Sequence, residues 1–149
     1  MILEYRSSVI AVFSNSDKRV LVGERRDNPG SWQFPQGGIE PGESAVLALY
    51  REMEEELGCG DFQIITTLRD PVRYEFPADL CSPLKKKYLG QSQTWFLVRF
   101  KRGAGPDLAK ADREFRAFEW IEPQEALLRI VEFKRAAYQK GMRGLGFDV

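Results

Sequence analysis

Short apolar blocks separated by turn residues run the length of the chain, and their spacing predicts strands interleaved with a few helices. Residues 8–13 (SVIAVF) are apolar almost throughout, as in a buried strand. Residues 19–24 (RVLVGE) follow a turn at Asn15-Ser16-Asp17, so the two runs are expected to pair as a hairpin. Residues 27–30 (DNPG) read as a turn, and Trp32-Gln33-Phe34-Pro35 alternates before Gly37-Gly38. A helix is expected from Glu43 or Ser44 to Leu57, burying Val46, Leu47, Tyr50, Met53 and Leu57. Gly58 suits the left-handed position that ends a helix. Further strands are expected at 62–68, 72–76, 94–100 and 115–121. The polar and basic stretch 77–90 is a loop long enough to suggest function or mobility. Pro123-Gln124-Glu125-Ala126 opens a helical segment. Residues 131–141 read as a terminal helix, with Val131, Phe133 and Tyr138 as packing positions. The sum is one domain, 1–149, of the α+β class: a mixed sheet flanked by helices, in the α/β/α sandwich range.

Composition narrows the function classes. The 149 residues are 43% hydrophobic and 30% charged, with 22 basic and 22 acidic side chains. A net charge of zero argues against coating nucleic acid by bulk charge, yet the charges come in blocks. Arg25-Arg26, Lys85-Lys86-Lys87, Lys101-Arg102 and Lys134-Arg135 are basic, and 52–56 is acidic. The two cysteines, Cys59 and Cys81, stand in no metal-ligand spacing and read as free thiols in a reducing compartment. No membrane-spanning run occurs, and the N-terminal residues do not read as a signal peptide. A cytoplasmic protein with no membrane partner is expected.

The acidic block changes the picture most. Glu52, Glu55 and Glu56 are spaced i, i+3, i+4, so their carboxylates share a helical face. Clustered like charges repel unless a cation sits among them. The chain has no histidine, so a hard divalent ion bound through oxygen, such as Mg2+, is the expected occupant. Arg51 lies among these carboxylates and suits a bidentate pair with one of them.

The segment 37–59, GGIEPGESAVLALYREMEEELGC, resembles the Nudix box, the signature of the Nudix hydrolase superfamily. Gly37, Glu43, Arg51, Glu52, Glu55, Glu56 and Gly58 fall on its fixed positions. Cys59 stands where the family more often has Ile, Leu or Val, and cysteine is a small hydrophobe. The resemblance implies a Nudix fold and hydrolysis of a nucleoside diphosphate linked to another moiety. Glu52, Glu55 and Glu56 would be Mg2+ ligands, with Mn2+ as a substitute, more than one ion bound, and Gly37 at the metal site. Gly37, Glu43 and Gly58 would shape the loop and helix.

Outside the box, several segments resemble the bacterial RNA pyrophosphohydrolases and the related dinucleoside polyphosphate hydrolases. They are Tyr5-Arg6, Arg25-Arg26, SWQFPQGG at 31–38, GQSQTWF at 90–96, Glu114-Phe115 with Trp120, and Phe133-Lys134-Arg135. This branch implies removal of pyrophosphate from 5′-triphosphate RNA, the step that exposes a transcript to decay. Diadenosine polyphosphates or free (d)NTPs are the alternative substrates, and a binding module without turnover is a third reading. By the same resemblance Glu114 is a further metal ligand or general base. Arg6, Arg26, Ser31, Gln36, Gln91, Phe133 and Lys134 would contact substrate, with Gln91 favoured over Gln93. Glu119 should point outward by strand alternation. Homodimers are common in the superfamily. Residues 77–87 and 103–112 depart from the branch, which bears on base preference and RNA length rather than on the chemistry.

Overall fold

The computed structural model describes residues 2–149. Its first strand, β1 (Glu4–Phe13), is buried from Ser8 to Phe13, because the sheet it enters is covered on both faces. β1 does not pair with β2 (Val20–Arg25) as a hairpin. A single bridge, Ser14 to Val20, joins them before the chain passes into a second sheet. Both edges of β1 are taken elsewhere, by β4 (Gln36–Gly38), antiparallel, and by the long β7 (Tyr88–Phe100), parallel.

The larger sheet is mixed, in the order β4-β1-β7 with two antiparallel strands sharing the far edge of β7. These are β5 (Phe62–Thr67) on its C-terminal half and β6 (Val72–Glu75) on its N-terminal half. The smaller sheet is antiparallel: β3 (Trp32–Gln33), β2 and β8 (Phe115–Ile121). The stretch expected to be a bare loop holds a short helix, α2 (Pro83–Lys87), and β7 begins earlier than expected.

The helix α1 (Ala45–Leu57) starts where Ser44 Oγ accepts the Leu47 N–H at 3.1 Å. Its buried positions are Ala48, Leu49, Met53, Glu56 and Leu57. Val46 and Leu47, expected inside, are 45% and 63% exposed. The unbroken apolar run 45–49 hides which stripe turns inward, and the sheet selects the one around Leu49 and Met53. Alternation then divides the core. Val9, Ala11 and Phe13 meet α1, whereas Ile10 and Val12 join the layer that holds Trp95 and Tyr138. That second layer includes α3 (Pro123–Arg129) and α4 (Arg135–Gly144), with a 3-10 turn at Glu132–Lys134 between them. The terminal helix thus starts later than expected, and Val131 is exposed rather than packed. Among the described residues no helix is long and apolar enough to cross a membrane.

Candidate active site

α1 and β4 meet where the acidic block begins. A Cβ on Gly37 would lie 2.0 Å from the carboxyl carbon of Glu52, so only glycine lets that carboxylate lie against β4. Arg51 ties the loop to the helix. Its Nε and Nη2 grip Glu43 in a bidentate pair at 2.8 Å each, Nη1 reaches Glu52 Oε1 at 2.8 Å, and Nη2 donates to the Gly38 carbonyl at 2.9 Å. These bonds, with the Glu40 N–H second, hold the Glu43 carboxyl at about 2, well below its ordinary value. Arg51, expected to pair with one of these carboxylates, bridges Glu43 and Glu52.

Glu56 is buried on the sheet-facing side of α1, where its Oε2 accepts the Gln36 N–H at 3.1 Å. Burial pushes its carboxyl well above the usual range, and the neighbouring Glu114 and Glu52 charges push the same way. Burial likewise raises Glu52, against the pull of Arg51. Glu114 is delivered by the segment after β7. Asp107 and Asp112 donate their N–H groups to the Leu57 and Glu55 carbonyls at 2.7 and 2.6 Å, so this segment caps the end of α1. Asp112 Oδ1 then accepts the Glu114 N–H at 3.0 Å. Glu119 points away from this cleft and pairs with Arg129.

Glu52, Glu56 and Glu114 line one cleft of about 270 Å3 with Arg6, Arg25, Gln36, Gly37, Gly38, Leu84 and Gln91. Glu55 does not line this cleft; it is half exposed and 3.7 Å from Arg51. Among the described residues no three carboxylates converge tightly on one point. The donor set nevertheless suits a hard divalent cation. A carboxylate as buried as Glu56, flanked by two more and given one N–H donor, lacks positive charge where such an ion would supply it.

Next to the cleft lies a cavity of about 510 Å3, and Arg25, Gln36, Leu84 and Gln91 border both. Ser31, Phe133 and Lys134, expected to contact substrate, line it. Gln93 instead donates to Gln36 Oε1 at 2.9 Å, and Gln91 is the glutamine that lines both the cleft and the cavity. Gln33 Nε2, Tyr74 Oη and Gln91 Oε1 are buried at its wall, and none makes a hydrogen bond of acceptable geometry among the described residues. Burial raises the Tyr74 hydroxyl to about 12.

The arginines trade places with expectation. Arg26 donates from Nε to the Arg113 carbonyl at 3.1 Å and from Nη2 to the Phe115 carbonyl at 3.4 Å. It borders only a neighbouring hollow beside Glu114. Arg25 enters the cleft, gripped by Asp27 at 2.9 and 2.8 Å and 3.9 Å from Glu114. A register shift between Glu24 and Arg25 against β8 breaks the alternation that would have told the two apart. Tyr74 was also missed, though alternation of Val72, Tyr74 and Phe76 in the strand pattern marks it as inward-facing.

A glutamate-bearing helix laid on a mixed sheet, with its loop locked by arginine, defines a class. The NUDIX domain family matches residues 4–141, and the chain belongs to that family. It is 39% identical over 141 residues to the RNA pyrophosphohydrolase of Helicobacter pylori, across 92% of this chain and 90% of that one. It is 42% identical over 144 residues to the RNA pyrophosphohydrolase of Zymomonas mobilis, covering 93% and 92%. The Escherichia coli dihydroneopterin triphosphate pyrophosphohydrolase superposes with a TM-score of 0.68 at 25% identity, covering 92% and 96%. Nudix hydrolases generally use divalent metal ions.

Proposed function

We propose that this chain is an Mg2+-dependent RNA 5′-pyrophosphohydrolase of the cytoplasm, converting 5′-triphosphate RNA to 5′-monophosphate RNA and pyrophosphate. The observation that carries the reading is a pair of adjoining spaces with shared walls. A carboxylate cleft bordered by Arg6 and Arg25 adjoins a cavity at whose wall Gln33 Nε2, Tyr74 Oη and Gln91 Oε1 make no hydrogen bond of acceptable geometry. Relatives that carry the name RNA pyrophosphohydrolase across nearly the whole chain support it.

Glu52, Glu55, Glu56 and Glu114 would hold the metal, with Gly37 leaving the room they need. Bound Mg2+ supplies charge neutralisation on the phosphates and a water of lowered pKa. Arg6 lies over Gly38, facing the cleft, where its guanidinium meets phosphate oxygens. Arg25, held by Asp27, lines the same cleft and would do likewise. As a further metal ligand or as the general base, Glu114 would serve the attacking water. The water oxygen bonds to the α-phosphorus, the bridge to the β-phosphorus breaks, and pyrophosphate leaves. Phe133 offers a ring to the first bases, and Gln91 and Tyr74 offer polar groups to base edges. Lys134 brings an ammonium to the same wall.

The test pairs RNA bearing a γ-labelled 5′-triphosphate with diadenosine tetraphosphate, both with Mg2+. Labelled pyrophosphate is expected from the RNA, faster than dinucleotide cleavage. Glu56→Gln keeps an oxygen for the Gln36 N–H but loses the charge, and turnover should drop by roughly 100-fold or more. Inert RNA beside fast dinucleotide cleavage would move the function to nucleotide hydrolysis. Near-normal turnover by the variant would remove Glu56 from the site.

A further inference from the structure

The wall of the substrate cavity has a second side. Leu80, Cys81, Ser82 and Pro83 line that cavity and also line another of about 500 Å3, which they share with Lys85 and Lys86. One short stretch of chain therefore separates the two spaces. Its own hydrogen bonds hold it in place. Leu80 donates its N–H to the Pro77 carbonyl at 3.1 Å, Ser82 Oγ accepts the Leu84 N–H at 3.3 Å, and the Lys85 ammonium donates to the Ala78 carbonyl.

Charge makes the outer space unusual. Lys85 is used within the partition, but Lys86 and Lys87 are exposed. Among the described residues neither lies within 4.0 Å of a carboxylate. The inner cleft already holds Arg6, and Arg25 and Lys134 line the wall beside it. Cationic groups thus stand on both sides of the partition: Arg6, Lys134 and the Asp27-paired Arg25 within, and the exposed Lys86 and Lys87 outside. A polyanion that crosses the partition would meet both sets. A mononucleotide or dinucleotide is accommodated by the inner spaces. Only a polymer continues over the wall.

We propose that the outer cavity and the Lys86–Lys87 pair form a track for the downstream nucleotides of single-stranded RNA. This rests on the RNA 5′-end reading. Leu80 and Pro83 offer apolar contact to a base, and the two lysines meet the phosphodiesters that follow. The track makes the enzyme prefer a longer transcript to a short triphosphate oligonucleotide, at no change in the chemical step.

The experiment compares kcat/KM for a 5′-triphosphate RNA dodecamer and a triphosphate dinucleotide, across a salt series, in wild type, K86Q/K87Q and K86R/K87R. Wild type should favour the dodecamer. In K86Q/K87Q the dodecamer should lose roughly tenfold, its log–log salt slope should flatten by about 0.7 for each phosphate no longer neutralised, and the dinucleotide should be unchanged. K86R/K87R should restore both quantities. Equal use of the two RNAs by wild type, with equal salt slopes, overturns the track and leaves the RNA activity standing. Equal loss on both RNAs in K86Q/K87Q also overturns it, because the lysines would then act at the cleft. Wild type that cleaves neither RNA removes the activity on which the track depends.

Discussion

Lys134 lines the cavity beside the carboxylate cleft, with its ammonium 5.8 Å from the Phe133 ring centroid and 5.9 Å from that of Tyr74. Burial, and secondarily the Arg25 charge, pull its pKa down to about 8 from an ordinary 10.5. The folded protein therefore binds fewer protons than the unfolded chain between those values. The cost to stability is full below about 8 and disappears as pH rises toward 10.5. Substrate binding follows the opposite course, because only the ammonium attracts phosphate. KM for triphosphate RNA should rise about tenfold as pH passes through 8, and Lys134→Arg, which stays charged, should flatten the rise. A parallel rise in both proteins would exclude Lys134 from phosphate binding. Residue identity at this scale was legible where a motif fixed the register, as at Glu52, Glu56 and Gly58. It was not legible for Arg25 against Arg26, where a strand irregularity decides which guanidinium enters the cleft.

α1 is an element whose two ends do different work. Its start is fixed by Ser44 and the Glu43–Arg51 pair, and its end by Gly58 at φ 69. A Cβ on Gly58 would lie 2.4 Å from the Asp107 carbonyl oxygen and 2.7 Å from the Ala111 nitrogen. Gly58→Ala should cost more than about 1 kcal/mol in unfolding free energy. It should also lower activity, since the displaced segment carries Glu114. Urea unfolding and a turnover assay check both, and a stable variant of normal activity would dissociate the cap from the site. The helix and its cap were readable from spacing and from glycine. Its inward stripe was not, because Glu56 occupies a buried position that a hydrophobic pattern assigns to the polar side. The tertiary setting reverses the preference: the carboxylate is needed where the sheet and helix close on the cleft.

Across the whole molecule, β1 and β7 run side by side between two apolar layers. Met53 lies fully buried in one layer and Met142 in the other. Replacing either by alanine should cost about 2–5 kcal/mol. Because the strands are shared, tryptophan fluorescence and far-ultraviolet circular dichroism should report one coincident transition in each variant. Two separated transitions would show that the layers unfold independently. The existence and type of most strands were legible in the apolar blocks. Their neighbours were not, since the edges of β1 are taken by β4 and by β7, the latter far along the chain. The clasp of residues 107–112 on the end of α1 has a wider consequence. It joins the helix-borne and strand-borne carboxylates into one mechanical unit, while the roof of the substrate cavity comes from a different crossing, residues 77–87. The carboxylates can therefore keep their mutual geometry while that part of the cavity wall is rebuilt.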